Sequence, residues 1–369
     1  MEITTFSSIV VFEFGERSIS LISTRLNLLK AIYFDHPDSI PMIFHVNDSC
    51  WHHYNNEELY SLMASHPVLF PDLSSFEKTS NPDFPDFARK NHHFIDPWGC
   101  KWQTNDDGII GAVIEHPLET WDEFETYFPP DPEKTTHWSS IDWREAASSK
   151  SSIGFFNSLN SADIGHGHTF LKLIDIRGYE NSILDMADED PGILQLLEMI
   201  TDFNLGLVNR YINKVGVEFL GYAEDLGMEI GPMLSPSMFK KYILPAYKKI
   251  IKPAIDAGVI VHMHSDGDLR TLIPDLMSLD LHMLNLQDLV NGIDWIRDNL
   301  KGNICIDLDI DRQKITLNGT PAEIHELIDY EISQLNDPAG GLTMIYGLYP
   351  GVPVENIIAL MDAMEKHAE

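Results

Sequence analysis

Residues 258–267, Gly258-Val-Ile-Val-His262-Met-His264-Ser-Asp266-Gly267, carry the pattern that decides the fold. A β-branched apolar run leads into a polar turn with a glycine, which is typical of a buried strand that ends in a loop. Because side chains alternate along a strand, His262, His264 and Asp266 are predicted to point to the same side. Two imidazoles and a carboxylate that converge at a strand end would form half of a metal or acid–base site.

Strand and helix patterns alternate along the chain around this stretch. Strands are predicted at 42–47, 168–174, 217–222, 258–264, 281–287, 303–309 and 341–346, and helices at 191–211, 269–279, 293–300, 321–335 and 353–366. Units in this order imply parallel strands joined by right-handed crossovers. The sequence contains no glycine-rich nucleotide-binding motif, so an open nucleotide-binding sheet is not favoured. We predict an α/β protein with a closed (β/α)8 TIM-type barrel.

Two segments fall outside this regular pattern. Residues 1–37 are predicted to form an N-terminal arm with a helix at 24–34. Residues 49–150 are rich in Trp, His, Pro and Asp, and within them 94–102 and 108–114 indicate a short hairpin. Because these strands are too short for an independent sandwich, we predict a single barrel domain over 1–369 with an insertion or cap at 49–150.

The charge and composition exclude several classes of protein. The 369 residues carry a formal net charge of −32, and a surface of that sign repels nucleic acid and anionic membranes. No run approaches ~18 apolar residues, and acidic residues flank the apolar patch at 9–12, so neither a membrane span nor a signal peptide is predicted. Three widely spaced cysteines, Cys50, Cys100 and Cys305, indicate a reducing compartment. We therefore expect a cytoplasmic protein.

The loops that follow the strands of an α/β barrel build its active site. Polar residues at or near the predicted strand ends are Asn47, Asp48, His166, His168, Glu224, Asp225, His262, His264, Asp266, Asn285, Gln287, Asp307, Asp309, Tyr346 and Tyr349. Structural roles compete with functional ones at several positions: Asp266 could cap a turn, and Asp309 could pair with Arg312 inside the protein. Adjacent Glu224 and Asp225 point oppositely in an extended segment, so at most one of them faces the open end of the barrel. The alternative to a functional role for that residue is a helix cap or a salt bridge.

A series of short motifs runs through residues 25–365. They are Asp96-Pro-Trp-Gly99, Tyr222-Ala-Glu224-Asp225-Leu-Gly, Leu234-Ser-Pro-Ser-Met-Phe239, His264-Ser-Asp266-Gly267, Asn285-Leu-Gln287-Asp288, Asp309-Ile-Asp311-Arg-Gln313, Gly319-Thr-Pro-Ala-Glu323-Ile, Gly340-Gly341 and Tyr346-Gly-Leu-Tyr-Pro-Gly-Val-Pro353-Val-Glu355-Asn356-Ile. In order and spacing these motifs resemble the uroporphyrinogen decarboxylase superfamily, which includes cobalamin-dependent methyltransferases. The resemblance implies a (β/α)8 barrel, in agreement with the fold predicted from the alternating pattern.

In the methyltransferase branch, a His-x-Cys-Gly motif and a later Cys-Gly hold a zinc ion. His264 matches the histidine, whereas Asp266 and Tyr346 stand where the cysteines would be. The resemblance then implies a metal site of His264 and Asp266 with Glu224 or His262. Such a site is richer in oxygen and suits an oxygen or amine substrate better than a thiol. The alternative is that the metal is lost and these groups act as acids, bases and hydrogen-bonding residues.

In the decarboxylase branch, an arginine-rich N-terminal segment grips the carboxylates of a porphyrinogen, and no cofactor is needed. Only Arg17 and Arg25 precede the first predicted strand here, and the Arg-Gln-x-Gly-Arg pattern is missing. A substrate with many carboxylates would also meet a surface of the wrong sign. Decarboxylation of uroporphyrinogen itself is therefore not expected.

The leading hypothesis is a methyltransferase that moves a methyl group from a small O- or N-methylated compound to a corrinoid on a partner protein, with zinc or without it. The residues assigned to it are His264, Asp266, Glu224 and Asp309 for catalysis, Asn285, Gln287, Asp307, Tyr346 and Asp225 for substrate binding, and His264, Asp266, Glu224 and His262 for the metal. The alternatives are a cofactor-independent decarboxylase or lyase of a small carboxylic acid, a metal-dependent hydrolase suggested by His262-x-His264, and a non-catalytic binding protein. We also expect a homodimer.

Overall fold

A curled sheet of seven parallel strands forms the centre of the protein. The strands are β1 (Met42–Val46), β2 (Ser161–Asp163), β3 (Phe219–Asp225), β4 (Ile260–Asp266), β5 (Met283–Gln287), β6 (Cys305–Asp309) and β7 (Leu342–Leu348). Their order across the sheet is β1-β7-β6-β5-β4-β3-β2, and helices fill the crossovers, so the predicted α/β barrel class is confirmed. In the part of the chain that the structure describes, the sheet is open between β1 and β2, and its seven strands are one fewer than in the predicted closed (β/α)8 barrel.

The computed structural model describes residues 16–71, 73, 84–149 and 158–368. The apolar patch at 9–12, residues 1–15 of the predicted arm, and residues 72, 74–83 and 150 of the predicted insertion lie outside the described residues. Among the described residues, no helix combines the length and apolar character needed to cross a membrane.

Helices connect the strands and cover the outside of the sheet. The α-helices are Glu16–Ile32, Cys50–His53, Asn56–Ser65, Trp143–Ser149, Phe170–Arg177, Tyr179–Asp188, Pro191–Arg210, Pro236–Met238, Leu244–Asp256, Ile273–Leu276, Asp288–Asn291, Ile293–Asn299, Ile315–Asn318, Pro321–Leu335 and Val354–Ala368, with 3₁₀ turns at Asp86–Ala88, Trp121–Thr126 and Met277–Leu279 and π turns at Tyr211–Val215 and Phe239–Ile243. Capping residues fix the N-terminal ends of two of the longer helices, Pro191–Arg210 and Pro321–Leu335. Asp190 accepts the N–H of Gly192 at 2.7 Å, and Thr320 forms a reciprocal capping box with Glu323.

The strands bury one face against the helices and turn the other toward the barrel interior. The outward residues of β4 to β6 form part of the main core: Val261, Met263, Leu284, Leu286, Ile306 and Leu308. On the interior face, Ile260, Met283 and Cys305 cluster with Leu28 and Ile32 of the first helix. Since this apolar cluster closes the N-terminal end of the barrel, the polar interior residues are left at the C-terminal end, where barrel active sites lie.

The segment predicted as a strand at 168–174 is a helix, Phe170–Arg177. Phe170, Leu173 and Ile176 are fully buried, and a spacing of three residues places them on one helical face. The strand of this unit is β2, which is only three residues long and lies earlier in the chain. The prediction is wrong because a short apolar run does not by itself distinguish a buried helix from a buried strand.

The predicted insertion contains a small antiparallel sheet in place of the predicted hairpin. Its three strands are His93–Ile95, Lys101–Gln103 and Ala112–Glu115. Directly after the first strand, Asp96 accepts the indole N–H of Trp102 at 3.1 Å and lies 3.1 Å from the ammonium of Lys172. Lys172 belongs to the helix after β2 and also pairs with Asp175 on that helix, at 3.1 Å. This ion cluster therefore joins the predicted insertion to the helix Phe170–Arg177.

Two buried carboxyl groups, Asp288 and Glu331, interact near the loop after β6. Both are almost completely buried, and Asp288 accepts the N–H of Asp311 at 2.9 Å. Burial raises the pKa of Glu331 well above its ordinary value, and the charge of Asp288 raises it further. Glu331 therefore keeps a proton in the folded protein at pH values where the unfolded chain has lost it.

The free energy of unfolding should fall as the pH rises above the ordinary glutamate range, because the unfolded state then releases the Glu331 proton and the folded state does not. We expect Glu331→Gln to remove this contribution, so that the variant gains stability relative to the wild type by up to about 1.4 kcal/mol per pH unit. Urea denaturation at about pH 5 and about pH 8 measures the difference. Glu125→Gln, at an exposed position, is the control; equal pH dependence in all three proteins would contradict the prediction.

Candidate active site

A row of polar side chains crosses the barrel interior at the level of His264. The parallel register places His264 beside Asn285, Asn285 beside Asp307, and Asp307 beside Thr343. Thr343 donates to one oxygen of the Asp307 carboxylate at 2.6 Å. Asn285 donates to the other at 3.0 Å, and His262 Nε2 lies 2.9 Å from the same oxygen. The row is a continuous hydrogen-bonded network across β4 to β7.

This network decides which ring nitrogen of His264 is free. Asn285 donates its amide N–H to the Asp307 backbone oxygen at 2.9 Å, so its own side-chain oxygen can only accept, and it accepts from His264 Nδ1. The neutral imidazole then carries its lone pair on Nε2. Most metal-bound histidines are held in this way, through the ring nitrogen that does not bind the metal. The Nε2 lone pair of His264 is therefore available to bind a metal ion or to accept a hydrogen bond at the C-terminal end of the barrel.

Acidic groups and a second histidine surround His264 Nε2. It lies 3.7 Å from Asp225 Oδ1 and 3.9 Å from Asp266 Oδ1. His166 Nε2 lies 3.3 Å from the same Asp225 oxygen. His166, Asp225 and His264 each present one potential ligand atom, and the three atoms lie within 4.8 Å of one another. Two imidazole nitrogens and a carboxylate at this spacing form a candidate zinc site with room for a further ligand.

A second group of potential metal ligands, His264, Asp266 and Asp309, meets the same 4.8 Å spacing. Here Arg312 already lies 3.2 Å from Asp266 and 2.9 Å from Asp309, and its guanidinium is 5.6 Å from the Tyr349 ring centroid. The cation balances much of the negative charge that would attract a metal. The group with His166 and Asp225 is therefore the better candidate for the metal, and the Arg312 group for contact with substrate.

Burial and neighbouring charges shift the pKa values of this cluster. Burial alone would lower the pKa of His166, but its hydrogen bond and charge interaction with Asp225 raise that pKa to about 9. Burial opposes ionisation of Asp225, yet the same contact brings its pKa below the ordinary value. Burial raises the pKa of Asp309 to about 7, although Arg312 opposes the rise. In the metal-free protein, His166 and Asp225 thus form a charged pair. The nearby Asp309 carboxyl group has a pKa of about 7 and exchanges its proton near neutral pH.

The structure brings most of the predicted site residues to the interior face of the sheet. They are Asp225, His262, His264, Asp266, Asn285, Gln287, Asp307 and Asp309. Gln287 accepts the N–H of Gly267 at 3.0 Å and so holds the turn after β4. His262 lies deeper than His264 and binds Asp307, and it belongs to neither group of potential metal ligands in the described residues.

Glu224 and Tyr346 depart from the predicted arrangement, because both lie on the outward face of their strands. Glu224 is fully buried, and its carboxylate accepts backbone N–H groups at the start of the helix Phe170–Arg177. Burial raises the pKa of Glu224 to about 7 against these bonds. The Tyr346 ring packs 5.3 Å from that of Phe44, and its hydroxyl lies 3.3 Å from Thr316 Oγ1. Neither side chain joins His264 in a potential metal group of the described residues.

Two residues without an assigned role in the sequence analysis, His166 and Asp163, also contribute to the interior cluster. Asp163 ends β2, and burial raises its pKa while the nearby histidines lower it. A side chain at Gly221 would clash with the Asp163 carboxylate, so the glycine leaves the space that this carboxylate occupies. The signal that could have identified them is an acidic residue followed by Gly165-His166-Gly167, a glycine-rich turn at a strand end.

Comparisons with known proteins agree with the barrel and with the series of motifs. The family model described as Uroporphyrinogen decarboxylase (URO-D) matches residues 169–367. A uroporphyrinogen decarboxylase from Geobacter sulfurreducens is 24% identical over 293 residues, which cover 74% of this chain and 76% of that protein. A methyltransferase from Methanosarcina mazei has a similar structure, with a TM-score of 0.63 at 13% identity over 93% of this chain and 98% of that one; at this identity the likeness shows the fold alone. The resemblance seen in the motifs is confirmed, and the chain belongs to the uroporphyrinogen decarboxylase (URO-D) family.

Proposed function

We propose that the protein is a methyltransferase that takes a methyl group from a small O- or N-methylated compound and passes it to a corrinoid carried by a partner protein. The observation that carries the proposal is His264, whose Nδ1 is bound to Asn285 while Nε2 faces Asp225 and Asp266. Membership of the URO-D family and the barrel shared with the methyltransferase from Methanosarcina mazei support it. The cytoplasmic location and the homodimer stay predictions.

Zinc fits the donor set of His166, Asp225 and His264, because two imidazoles and one carboxylate leave a position for the substrate. Of the predicted metal ligands, this set retains His264. It replaces Asp266, which pairs with Arg312, and also Glu224 and His262, which bind elsewhere. When bound, zinc would act as a Lewis acid on the oxygen or nitrogen from which the methyl group leaves. His166 must lose its proton to join the set, so the affinity for zinc should rise with pH.

The residues around this set would act on the substrate and on the leaving group. Asn285 keeps His264 in the tautomer that presents Nε2. Asp309, with a pKa of about 7, can give a proton to the oxygen or nitrogen that keeps the electron pair of the broken bond to the methyl carbon. Arg312 lies 2.9 Å from Asp309 and holds that carboxyl group in position. A corrinoid on the partner protein would supply the nucleophile that accepts the methyl group.

Methyl transfer to free cob(I)alamin tests the proposal. The purified protein, loaded with Zn²⁺, is incubated without oxygen with reduced cobalamin and panels of O-methyl and N-methyl compounds. We expect one class of donor to convert cob(I)alamin to methylcobalamin, followed by its absorption spectrum, at least about tenfold faster than without protein. If neither panel gives a rate above that of heat-denatured protein, methyl transfer is not the activity.

Decarboxylation of a small carboxylic acid, without cofactor, is the second candidate, and Asp309 is the observation that favours it. When the carbon–carbon bond to the carboxylate breaks, its electron pair stays on the remaining carbon and must be protonated. A buried carboxyl group with a pKa of about 7 can supply that proton at neutral pH. Release of CO2 without added metal or corrinoid, lost in Asp309→Asn, would favour this activity over methyl transfer.

A further inference from the structure

His166 lies on a tightly turned loop between two glycines. Gly165 and Gly167 have φ values of +112° and +74°, a region in which a side chain is strained. Backbone hydrogen bonds hold the loop to the neighbouring strands. The N–H of Gly165 donates to the Asp163 carboxylate at 2.6 Å, and the N–H of Gly167 donates to Ala223 O at 2.9 Å. The loop therefore presents a single imidazole from a defined backbone position.

Glu224 holds the chain directly after this loop. The N–H groups of Thr169, Phe170 and Leu171 all donate to its carboxylate, the last two at 2.9 and 3.1 Å. Glu224 is fully buried, and its carboxylate also lies 3.5 Å from Nδ1 of the buried His168 imidazole. A buried carboxylate is costly unless hydrogen bonds satisfy it, so the three N–H groups and Glu224 depend on one another.

Glu224 and Asp225 are neighbours on β3 and point to opposite faces of the sheet. Asp225 contacts the imidazole of His166 at 3.3 Å, while Glu224 holds the backbone that follows His166. We propose that Glu224 is a positioning residue, which acts through the loop to set His166 against Asp225 and so completes the site of His166, Asp225 and His264. The use of this site for zinc rests on the proposed function; the coupling of Glu224 to His166 does not.

Histidine-ring NMR of the metal-free protein tests the coupling directly. Protein labelled with ¹³C at histidine Cε1 gives one signal per ring, and the signal missing from His166→Ala identifies His166. In Glu224→Gln, which keeps the size of the side chain and removes its charge, we expect the His166 signal to move or broaden while that of His367 stays in place. Glu331→Gln is the matched control, because it changes another fully buried glutamate, on the distant helix Pro321–Leu335.

Cobalt binding tests the consequence for the site, since Co²⁺ occupies zinc sites and its visible absorption reports the ligands. We expect Glu224→Gln to weaken Co²⁺ binding about 10–100-fold and to change the spectrum as His166→Ala does, as for other residues that orient metal ligands. The double variant Glu224→Gln/His166→Ala should bind Co²⁺ no more weakly than His166→Ala alone. Additive losses would mean that Glu224 does not act through His166.

The outcomes separate the coupling from the proposed function. If the His166 signal is unchanged in Glu224→Gln, the positioning role is overturned, whatever the protein catalyses. If the signal moves but the wild type binds no Co²⁺, the coupling stands and the metal site is overturned. Should Glu224→Gln fail to fold, Glu224→Asp keeps the charge on a shorter side chain, and the same shift of the His166 signal is expected from the displaced loop.

Discussion

Replacing His264 with alanine is expected to lower the rate of methyl transfer by about 10²–10⁴-fold. His264 is the one residue common to both groups of potential metal ligands in the described residues, so its loss removes a donor from either. The effect on the free energy of unfolding should be less than about 1 kcal/mol. The side chain is 22% exposed, so alanine creates no sealed cavity, and water can satisfy the released Asn285 oxygen.

Two measurements on the same preparations check this prediction: the initial rate with the active methyl donor, and the zinc content of protein purified without chelator. We expect about one zinc per chain in the wild type and none in His264→Ala. His93→Ala is the control, since His93 is exposed on the small sheet of the insertion, and it should keep both the metal and the rate. A His264→Ala protein that is folded and retains more than about half of the wild-type rate would contradict the assignment.

The central part of the site could be predicted from sequence because it follows from the alternation of side chains along a strand and from the pairing of parallel strands. The β-branched run after Gly258 predicts a buried strand, and the observed β4 continues to Asp266, which puts His262, His264 and Asp266 on one face as expected. Asn285 follows from the same reasoning, because the next parallel strand aligns it with His264. These predictions need only the alternation of side chains and the order of parallel strands.

For the rest of the site, the sequence does not determine whether a side chain points into the barrel or outward toward the helices. Alternation predicts that Glu224 and Asp225 point oppositely, but only the pairing of Asp225 with Asp266 shows which of them faces the mouth. Tyr346 lies one residue from the interior positions of β7 and therefore packs outward. His166 lies on a loop, where no periodicity predicts direction; its place follows from long-range bonds to β3, which a local pattern does not contain.

Lys172→Met is expected to lower the free energy of unfolding by about 3–5 kcal/mol. The Lys172 side chain is 0% exposed, and its ammonium lies 3.1 Å from carboxylate oxygens of both Asp96 and Asp175. Burial alone would lower the pKa of Lys172, but the two carboxylates raise it above its ordinary value, so the folded protein holds a charged lysine. Methionine has a similar volume but leaves both carboxylates, whose side chains are 0% and 16% exposed, without their cation. Contacts of the ammonium with the Trp102 and Trp138 rings, at 5.4 and 5.2 Å, are also lost.

Urea denaturation of matched lysine variants measures this loss. Lys249→Met is the control, because Lys249 is half-exposed and pairs with Asp202 at 2.6 Å, so its removal should change the free energy by less than about 1 kcal/mol. Adding Asp96→Asn to Lys172→Met removes one unpaired charge and should recover part of the loss. Equal midpoints for the two lysine variants would contradict the prediction. Because Asp96 belongs to the predicted insertion and Lys172 to the helix after β2, a large loss in one transition would mean that the two segments unfold as a single cooperative unit.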